Sequence, residues 1–172
     1  MTPIEAGIEI VVGDITRLHA TAIANAANDA LAPGGGVCGA IFRAAGPGLA
    51  DECRAIGHCP TGECRLTKGY ALPAAWILHC VGPVWHGGGR GEAKLLAACY
   101  RAALAIACER SFESVAFPAI STGIYGYPAD QAARIAVDAV RVHMAGHEFP
   151  RRVALVAFDE VQAKPLRTAL EG

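Results

Sequence analysis

Residues Asn25 to Gly39 read NAANDALAPGGGVCG, and the fold turns on what that stretch is built to do. It follows a short apolar segment, Ala22 to Ala24, and closes on three consecutive glycines, Gly34 to Gly36, directly before a helix-like segment, Val37 to Ala45. Glycines there let backbone N–H groups approach an anion with no Cβ in the way. A helix starting next adds unpaired N–H donors and the positive end of its dipole. The stretch therefore reads as an anion cradle. Asn25 and Asn28 stand beside it, and their amides, which both donate and accept, suit sugar hydroxyls. Taken alone, it reads equally well as a glycine-rich surface turn with helix-starting chemistry.

On the N-terminal side, Ile8 to Val12 (IEIVV) is a β-branched run ended by Gly13, a strand by pattern. Asp14-Ile15-Thr16 follows directly, so Asp14 is either a turn or cap carboxylate or an acceptor for the amino group of a base. On the C-terminal side, helices are expected over Val37 to Ala45 and Leu49 to Ile56, stopped by Gly46-Pro47 and Gly57. Strands follow over Arg65 to Leu72 and Trp76 to Val81, the second apolar throughout, as expected of a strand covered on both faces. His79 inside it reads as a buried, hydrogen-bonded histidine. His86 to Gly91 reads as a mobile loop. Glu92 to Arg110 is a helix whose Leu96, Cys99, Ala103, Ile106 and Ala107 mark one buried face. Val115 to Ala119 is a strand leading into a second glycine-rich turn, Ile120 to Tyr127 (ISTGIYGY), after which Pro128 opens a helix to about Ala145. Val153 to Phe158 is the last strand and Val161 to Leu170 the last helix.

Strands and helices alternate, which predicts a three-layer α/β/α sandwich around a mixed, mostly parallel sheet, with residues 1–172 forming a single domain. Ligands of such folds bind beyond the carboxyl ends of the strands. Asp14, Asn25, Gly34 to Gly36, Ser121 to Tyr125 and Phe158 all follow predicted strands, so separate segments converge on one crevice.

Composition bounds the partners. The chain has 172 residues, 53% hydrophobic and 18% charged, with a net charge of -1, which excludes disorder. It also argues against duplex nucleic acid or a membrane surface held by bulk charge. The most apolar region, Tyr70 to Trp85, is broken by Pro73, His79 and Pro83, and the start has no signal-peptide pattern, so a cytoplasmic protein is expected. Seven cysteines, an odd number, fit reduced thiols better than a disulfide framework. Cys53, His58, Cys59 and Cys64 are spaced as a zinc site would be only loosely, without paired C-x-x-C hooks, and read better as buried thiols and loop residues. Neither a metal nor a cofactor is expected.

Two glycine-rich turns, each before a helix, suit two linked phosphates. Ser121 and Thr122 add hydroxyl donors, and Gly123 and Gly126 allow close backbone approach. Neither turn holds Lys or Arg, and GK[ST] is absent, so the pattern is one that holds a diphosphate and leaves it intact. Gly34 to Gly39 also matches G-x-G-x-x-G, which makes a dinucleotide-binding Rossmann domain a competitor. That fingerprint needs its glycines in the tight turn right after the first strand, and here about nine residues intervene.

The motifs Gly13-Asp14-Ile15-Thr16, Asn25-Ala26-Ala27-Asn28, Gly34-Gly35-Gly36-Val37, Ala44-Ala45-Gly46-Pro47, Cys59-Pro60-Thr61-Gly62 and Pro118 to Pro128 (PAISTGIYGYP) together resemble the macrodomain family. Within it they resemble the ADP-ribosyl hydrolases often labelled O-acetyl-ADP-ribose deacetylases, from about Ile8 to Glu160. The resemblance implies ADP-ribose or O-acetyl-ADP-ribose as ligand, with mono-ADP-ribosylated proteins as further partners. It implies that Asp14 accepts from the adenine amino group beside Ile15, that Phe158 stacks on adenine, and that Gly35, Gly36, Val37, Cys38, Ser121, Thr122, Gly123 and Ile124 hold the diphosphate. Asn25, with Asn28 nearby, would bond the far ribose, and Tyr125 would pack against it. The chain departs from the resemblance at Cys38 and Phe42, where many active hydrolases carry an aspartate and a histidine. Cys38 then reads as a wall residue, with water activated by the substrate's own phosphate while Asn25 and Tyr125 fix the geometry. Two functions remain open on the sequence: a hydrolase acting on ADP-ribosylated acidic side chains or on O-acetyl-ADP-ribose, and a reader that binds ADP-ribose without turnover.

Overall fold

The apolar runs of the sequence become the middle of a seven-stranded sheet. The computed structural model describes residues 4, 5 and 7–172. In chain order the strands are β1 (Ile4–Glu5), β2 (Ile8–Val12), β3 (Ala22–Ala26), β4 (Cys64–Lys68), β5 (Trp76–Cys80), β6 (Ser114–Phe117) and β7 (Arg152–Ala157). The helices are α1 (Gly36–Ala45), α2 (Pro47–Ile56), α3 (Glu92–Glu109), α4 (Ala129–Gly146) and α5 (Glu160–Glu171), with one 3-10 turn at Ile15–Arg17. The strand order is β1-β2-β7-β6-β3-β5-β4. The inner pairings β2–β7, β7–β6, β6–β3 and β3–β5 are parallel, and the two outermost pairings are antiparallel.

Residues alternate across this sheet with period two, and the alternation builds two cores. Ile8, Ile10, Ala22, Ala24, Leu78, Val115, Phe117, Val153 and Leu155 face α3, α4 and α5, whereas Ile23, Ile77, Ala116 and Val156 face α1 and α2. That is the expected three-layer sandwich. Its strand order is not the 3-2-1-4-5-6 arrangement of a dinucleotide-binding Rossmann domain, which removes that competitor. The two cores also separate the cysteines once weighed as a zinc site: Cys53 and Cys59 lie in one and Cys64 in the other. Among the described residues no group of three or more His, Cys, Asp or Glu gathers to hold a metal. All seven cysteines are free thiols. No described helix is long and apolar enough to cross a membrane.

Several boundaries differ from the expectation for local reasons. β4 stops at Lys68 and not at Leu72, because the chain turns back at Gly69, where the Leu72 N–H donates to the Gly69 carbonyl at 3.0 Å. Pro128 caps α4 from outside, in an extended conformation, and does not occupy its first turn. On α3, Tyr100 and Leu104 are buried while Ile106 lies at the margin of the core. The glycine-rich loop from His86 to Gly91 is anchored by Glu92, whose buried carboxylate accepts from the backbone N–H groups of His86, Gly88 and Arg90 at 2.9, 2.9 and 2.6 Å. The His86 bond leads in holding that carboxyl down to about 2. A loop that composition alone marks as mobile is tied at three points by one side chain.

Candidate functional site

The parallel strands end at one edge of the sheet, and the segments leaving them wall a cleft of about 710 Å³. Gly13, Asp14 and Ile15 come from the end of β2, Ala26 to Asn28 from β3, Gly82 from β5, Pro118 to Tyr125 from β6, and Phe158 from β7. The start of α1, Gly36 to Cys38 with Gly34 and Gly35 before it, closes one side. This is where the ends of a parallel sheet and a helix N-terminus place their unpaired N–H groups.

The first turn is packed on backbone. Gly35 caps α1 with no side-chain hydrogen bond, so the amides of the first helical turn remain open toward the cleft. Gly36 takes φ +57, and Gly39 lies so close under the loop that a Cβ would stand 2.4 Å from the Gly34 carbonyl oxygen. Asn28 clamps the loop from within: its Nδ2 donates to the Ala32 carbonyl at 2.8 Å and its Oδ1 accepts from the Ala32 N–H at 2.9 Å.

The second turn is packed on side chains. Ser121 is held at φ 68, a left-handed conformation that costs a non-glycine residue roughly 1–2 kcal/mol. Its Oγ is buried with no partner among the described residues, hard against Gly82, where a Cβ would lie 2.2 Å away. Thr122 Oγ1 donates to the Ala119 carbonyl at 3.1 Å, and the Tyr127 N–H closes the turn on the Ser121 carbonyl at 2.9 Å. Ile124, at the tip, is 88% exposed and faces Gly35 across the cleft, with its Cδ1 3.5 Å from where a Gly35 Cβ would stand. Tyr125 is half-buried, and burial, followed by the charges of Asp29 and Cys38, raises its hydroxyl pKa.

At the far end Asp14 takes the capping role read from its position. Its Oδ1 accepts from the Thr16 hydroxyl at 2.7 Å and the Thr16 N–H at 3.0 Å, bonds that lower its pKa. Asp14 lines the cleft, and its Oδ2 has no partner among the described residues. Ile15 beside it is buried, and Phe158, also on the cleft wall, is 75% exposed.

Of the residues singled out in the sequence, Asp14, Ile15, Asn28, Gly35, Gly36, Val37, Cys38, Ser121, Thr122, Gly123, Ile124, Tyr125 and Phe158 all line the cleft. Asn25 does not. It is fully buried behind Cys38, with Nδ2 3.7 Å from Cys38 Sγ and 3.1 Å from His79 Nδ1. Of the two asparagines it is Asn28 that reaches the wall. Gly82, Ala40, Arg43 and Gln162 also line the cleft, and sequence reading missed them. Helical spacing from Gly36 through Ala40 to Arg43 was a usable signal for two of them. Gln162 follows Asp159 at capping-box distance, accepting from the Phe158 N–H at 3.1 Å while its own N–H donates to Asp159 Oδ1 at 2.9 Å. Gly82 breaks the apolar run of β5 just before Pro83, a punctuation that marks a close approach.

A fold with this strand order and this pair of turns has known relatives. The Macro domain family model matches residues 24–136. This chain belongs to the macrodomain family. A macro domain-containing protein of Methanosarcina mazei is 50% identical to it, covering 95% of this chain and 87% of the relative. An O-acetyl-ADP-ribose deacetylase of Enterobacter cloacae is 48% identical, covering 89% of this chain and 87% of the relative. Among solved structures, a point mutant of the Oceanobacillus iheyensis macrodomain with ADPR superposes with TM-score 0.94 at 38% identity, over 99% of this chain and 96% of that one. The Trypanosoma brucei macrodomain in complex with ADP-ribose superposes with TM-score 0.90 at 41% identity, over 95% of this chain and 69% of that one. The macrodomain resemblance read from the motifs thus holds for the family and the fold.

Proposed function

We propose that this macrodomain binds ADP-ribose in the cleft and hydrolyses O-acetyl-ADP-ribose to ADP-ribose and acetate, with mono-ADP-ribosylated acidic side chains as a second substrate class. The observation that carries the reading is the pair of turns on one cleft, with Asp14 leaving β2 at one side of the strand order and Tyr125, whose carbonyl accepts from the Trp85 N–H, beside the segment after β5 at the other. Backbone donors of the two turns suit a diphosphate, and a spare carboxylate oxygen on Asp14 suits an adenine amino group. Relatives named O-acetyl-ADP-ribose deacetylase, 48% identical over 89% and 94% of this chain, support the reaction class. In that reaction water adds to the acetyl carbonyl, the ester C–O bond breaks, and the ribose oxygen leaves with a proton. Asp14, the one carboxylate on the cleft wall among the described residues, lies at the opposite end from Tyr125 and does not serve as the base. The water's proton therefore goes to the substrate's own phosphate, while Tyr125 and the second turn hold the ribose. Cys38 contributes a wall: its thiol is buried and occupied by Asn25 and the Ala32 carbonyl.

That missing base favours a second reading, an ADP-ribose reader that performs no hydrolysis. One measurement separates the two. Acetate release from O-acetyl-ADP-ribose and ADP-ribose release from mono-ADP-ribosylated protein are followed under single-turnover conditions, beside calorimetric titration with ADP-ribose. Micromolar binding, on the order of −8 kcal/mol, with release of either product establishes the hydrolase. Binding without release establishes the reader, and no binding removes both.

A further inference from the structure

Behind the cleft runs a line of buried polar atoms that the proposed chemistry does not use. Thr67 Oγ1 lies 3.1 Å from the Lys68 carbonyl oxygen and 2.9 Å from His79 Nε2; with its one proton given to the carbonyl it accepts from the imidazole. We assign the imidazole proton to Nε2 on that arrangement. Nδ1 is left as an acceptor and takes one Nδ2 hydrogen of Asn25 at 3.1 Å. The other Nδ2 hydrogen reaches Cys38 Sγ at 3.7 Å, and the Cys38 thiol in turn points to the Ala32 carbonyl at 3.7 Å. Each orientation follows from the one before it.

The cost of this order is visible at Asn25. Its Oδ1 is buried with no partner among the described residues, in a side chain with 0% exposure. An amide free to choose would turn its oxygen toward a donor, since a buried unpaired acceptor forfeits its solvation. Here the turn is blocked, because it would set Oδ1 against the bare Nδ1 of His79. Burial keeps that imidazole neutral at pH 7 by lowering its pKa to about 4. The Phe42 ring leans on it with centroids 6.4 Å apart, and Cys53 Sγ lies 4.0 Å from Nε2.

We infer that His79, oriented by Thr67, is a positioning residue: it fixes the Asn25 amide and thereby holds the Cys38 thiol in place on the cleft wall. The inference rests on the proposed reading for the importance of that wall. Its test uses thiol reactivity and ring protonation, which require neither ligand nor turnover. An N–H donor on sulfur favours the thiolate, so losing it slows alkylation.

The protein is treated with iodoacetamide, and the alkylation of Cys38 is followed by peptide mass spectrometry with the partly exposed Cys108 as internal reference. His79→Leu removes the acceptor for Asn25 and is expected to slow Cys38 about tenfold relative to Cys108. His79→Gln keeps an acceptor in its amide oxygen and is expected to restore the rate to within about threefold. Equal rates in His79→Leu and wild type overturn the inference. So does failure of His79→Gln to rescue, or acceleration of Cys38 and Cys53 together, since both outcomes make His79 a packing residue. Should His79→Leu fail to fold, nitrogen-15 NMR of the wild-type imidazole and of near-isosteric Thr67→Val decides. The expected result is protonated Nε2 and bare Nδ1 in wild type, with the proton shifting toward Nδ1 in Thr67→Val. A wild type protonated on Nδ1 overturns the inference. ADP-ribose titration of the same wild-type sample tests the ligand reading separately, so the two failures are distinguishable.

Discussion

The two glycine-rich turns of the cleft face each other and are made differently. The first is backbone packed on backbone: Gly39 lies under the Gly34 carbonyl, and a helix start supplies the open amides. The second is a strained side chain seated on a glycine: Ser121, left-handed and with an unpartnered hydroxyl, sits on Gly82. A turn of the first kind has few ways to move without unfolding the helix behind it. A turn of the second kind stores its strain locally, and occupation of the Ser121 hydroxyl by a ligand would offset some of it. Strain held at a cleft in this way points to use of that position in binding.

The largest effects come from filling the two close approaches. Gly39→Ala would place a Cβ 2.4 Å from a backbone oxygen, and Gly82→Ala would place one 2.2 Å from Ser121 Oγ and 2.6 Å from Ile120 Cγ2. Each is expected to cost about 1–3 kcal/mol of stability and to weaken ADP-ribose binding at least as much. The difference between the turns appears in rescue. Adding Ser121→Ala to Gly82→Ala removes the nearest clash and recovers part of the melting temperature. No side-chain truncation relieves Gly39→Ala, because the obstacle is main chain. Equal rescue in both backgrounds would erase the distinction.

Asp14 tests whether the turns or the base end dominate selectivity. Asp14→Ala removes a charged acceptor and is expected to weaken ADP-ribose by about 1.5–3 kcal/mol. Loss of the Thr16 bonds affects only a partly exposed 3-10 turn, so stability changes little. An unchanged dissociation constant would reduce Asp14 to its capping role, and the turns would then carry recognition alone.

Much of this comparison was legible in the sequence, and the remainder has a physical explanation. The fold followed from alternation of apolar β segments with helical periods, and the two turns from glycine clusters at the ends of strands. What escaped were contacts between segments far apart in the chain. Gly82 matters because Ser121 sits on it; Gly82-Pro83 marks a close approach, but nothing near it names the partner. Asn25 and Asn28 are three residues apart in one motif, yet β3 carries Asn25 inward against His79 while Asn28 leaves the strand and lines the cleft. The sequence shows two amides, and only the end of β3 separates their roles. The loop before α3 differs from its sequence pattern for a related reason: its six residues carry the mobility signal, while the carboxylate that ties them belongs to the helix that follows.

A smaller effect, opposite in sign between stability and binding, comes from Ser121→Gly. Glycine relieves the left-handed strain at φ 68 and deletes a buried hydroxyl with no partner, gains that exceed the added entropy of the unfolded chain. Stability is expected to rise by about 1 kcal/mol, while affinity for ADP-ribose falls by a similar amount as a donor is lost. Gly36→Ala, its counterpart in the first turn, introduces the same left-handed strain into open space and is expected to lower stability by about 1 kcal/mol. Thermal melts of the two variants should therefore move in opposite directions. Melts that move together would mean that the strain at Ser121 is relieved by contacts in the turn, and that the two turns are alike.

The smallest expected effect lies at Ile124, where the turns meet. The side chain is 88% exposed, so its truncation removes little buried area and Ile124→Ala should leave stability within about 0.5 kcal/mol of wild type. In the complex the same side chain would cover the diphosphate from the side of the second turn, while Gly35 stays open beneath it. Removing that cover speeds dissociation more than it slows association, because the encounter is governed by the open amides of the first turn. A few-fold rise in koff with kon unchanged is the expected result in stopped-flow measurements with ADP-ribose. A loss confined to kon would mean that Ile124 shapes the entrance and that the second turn is already closed before the ligand arrives.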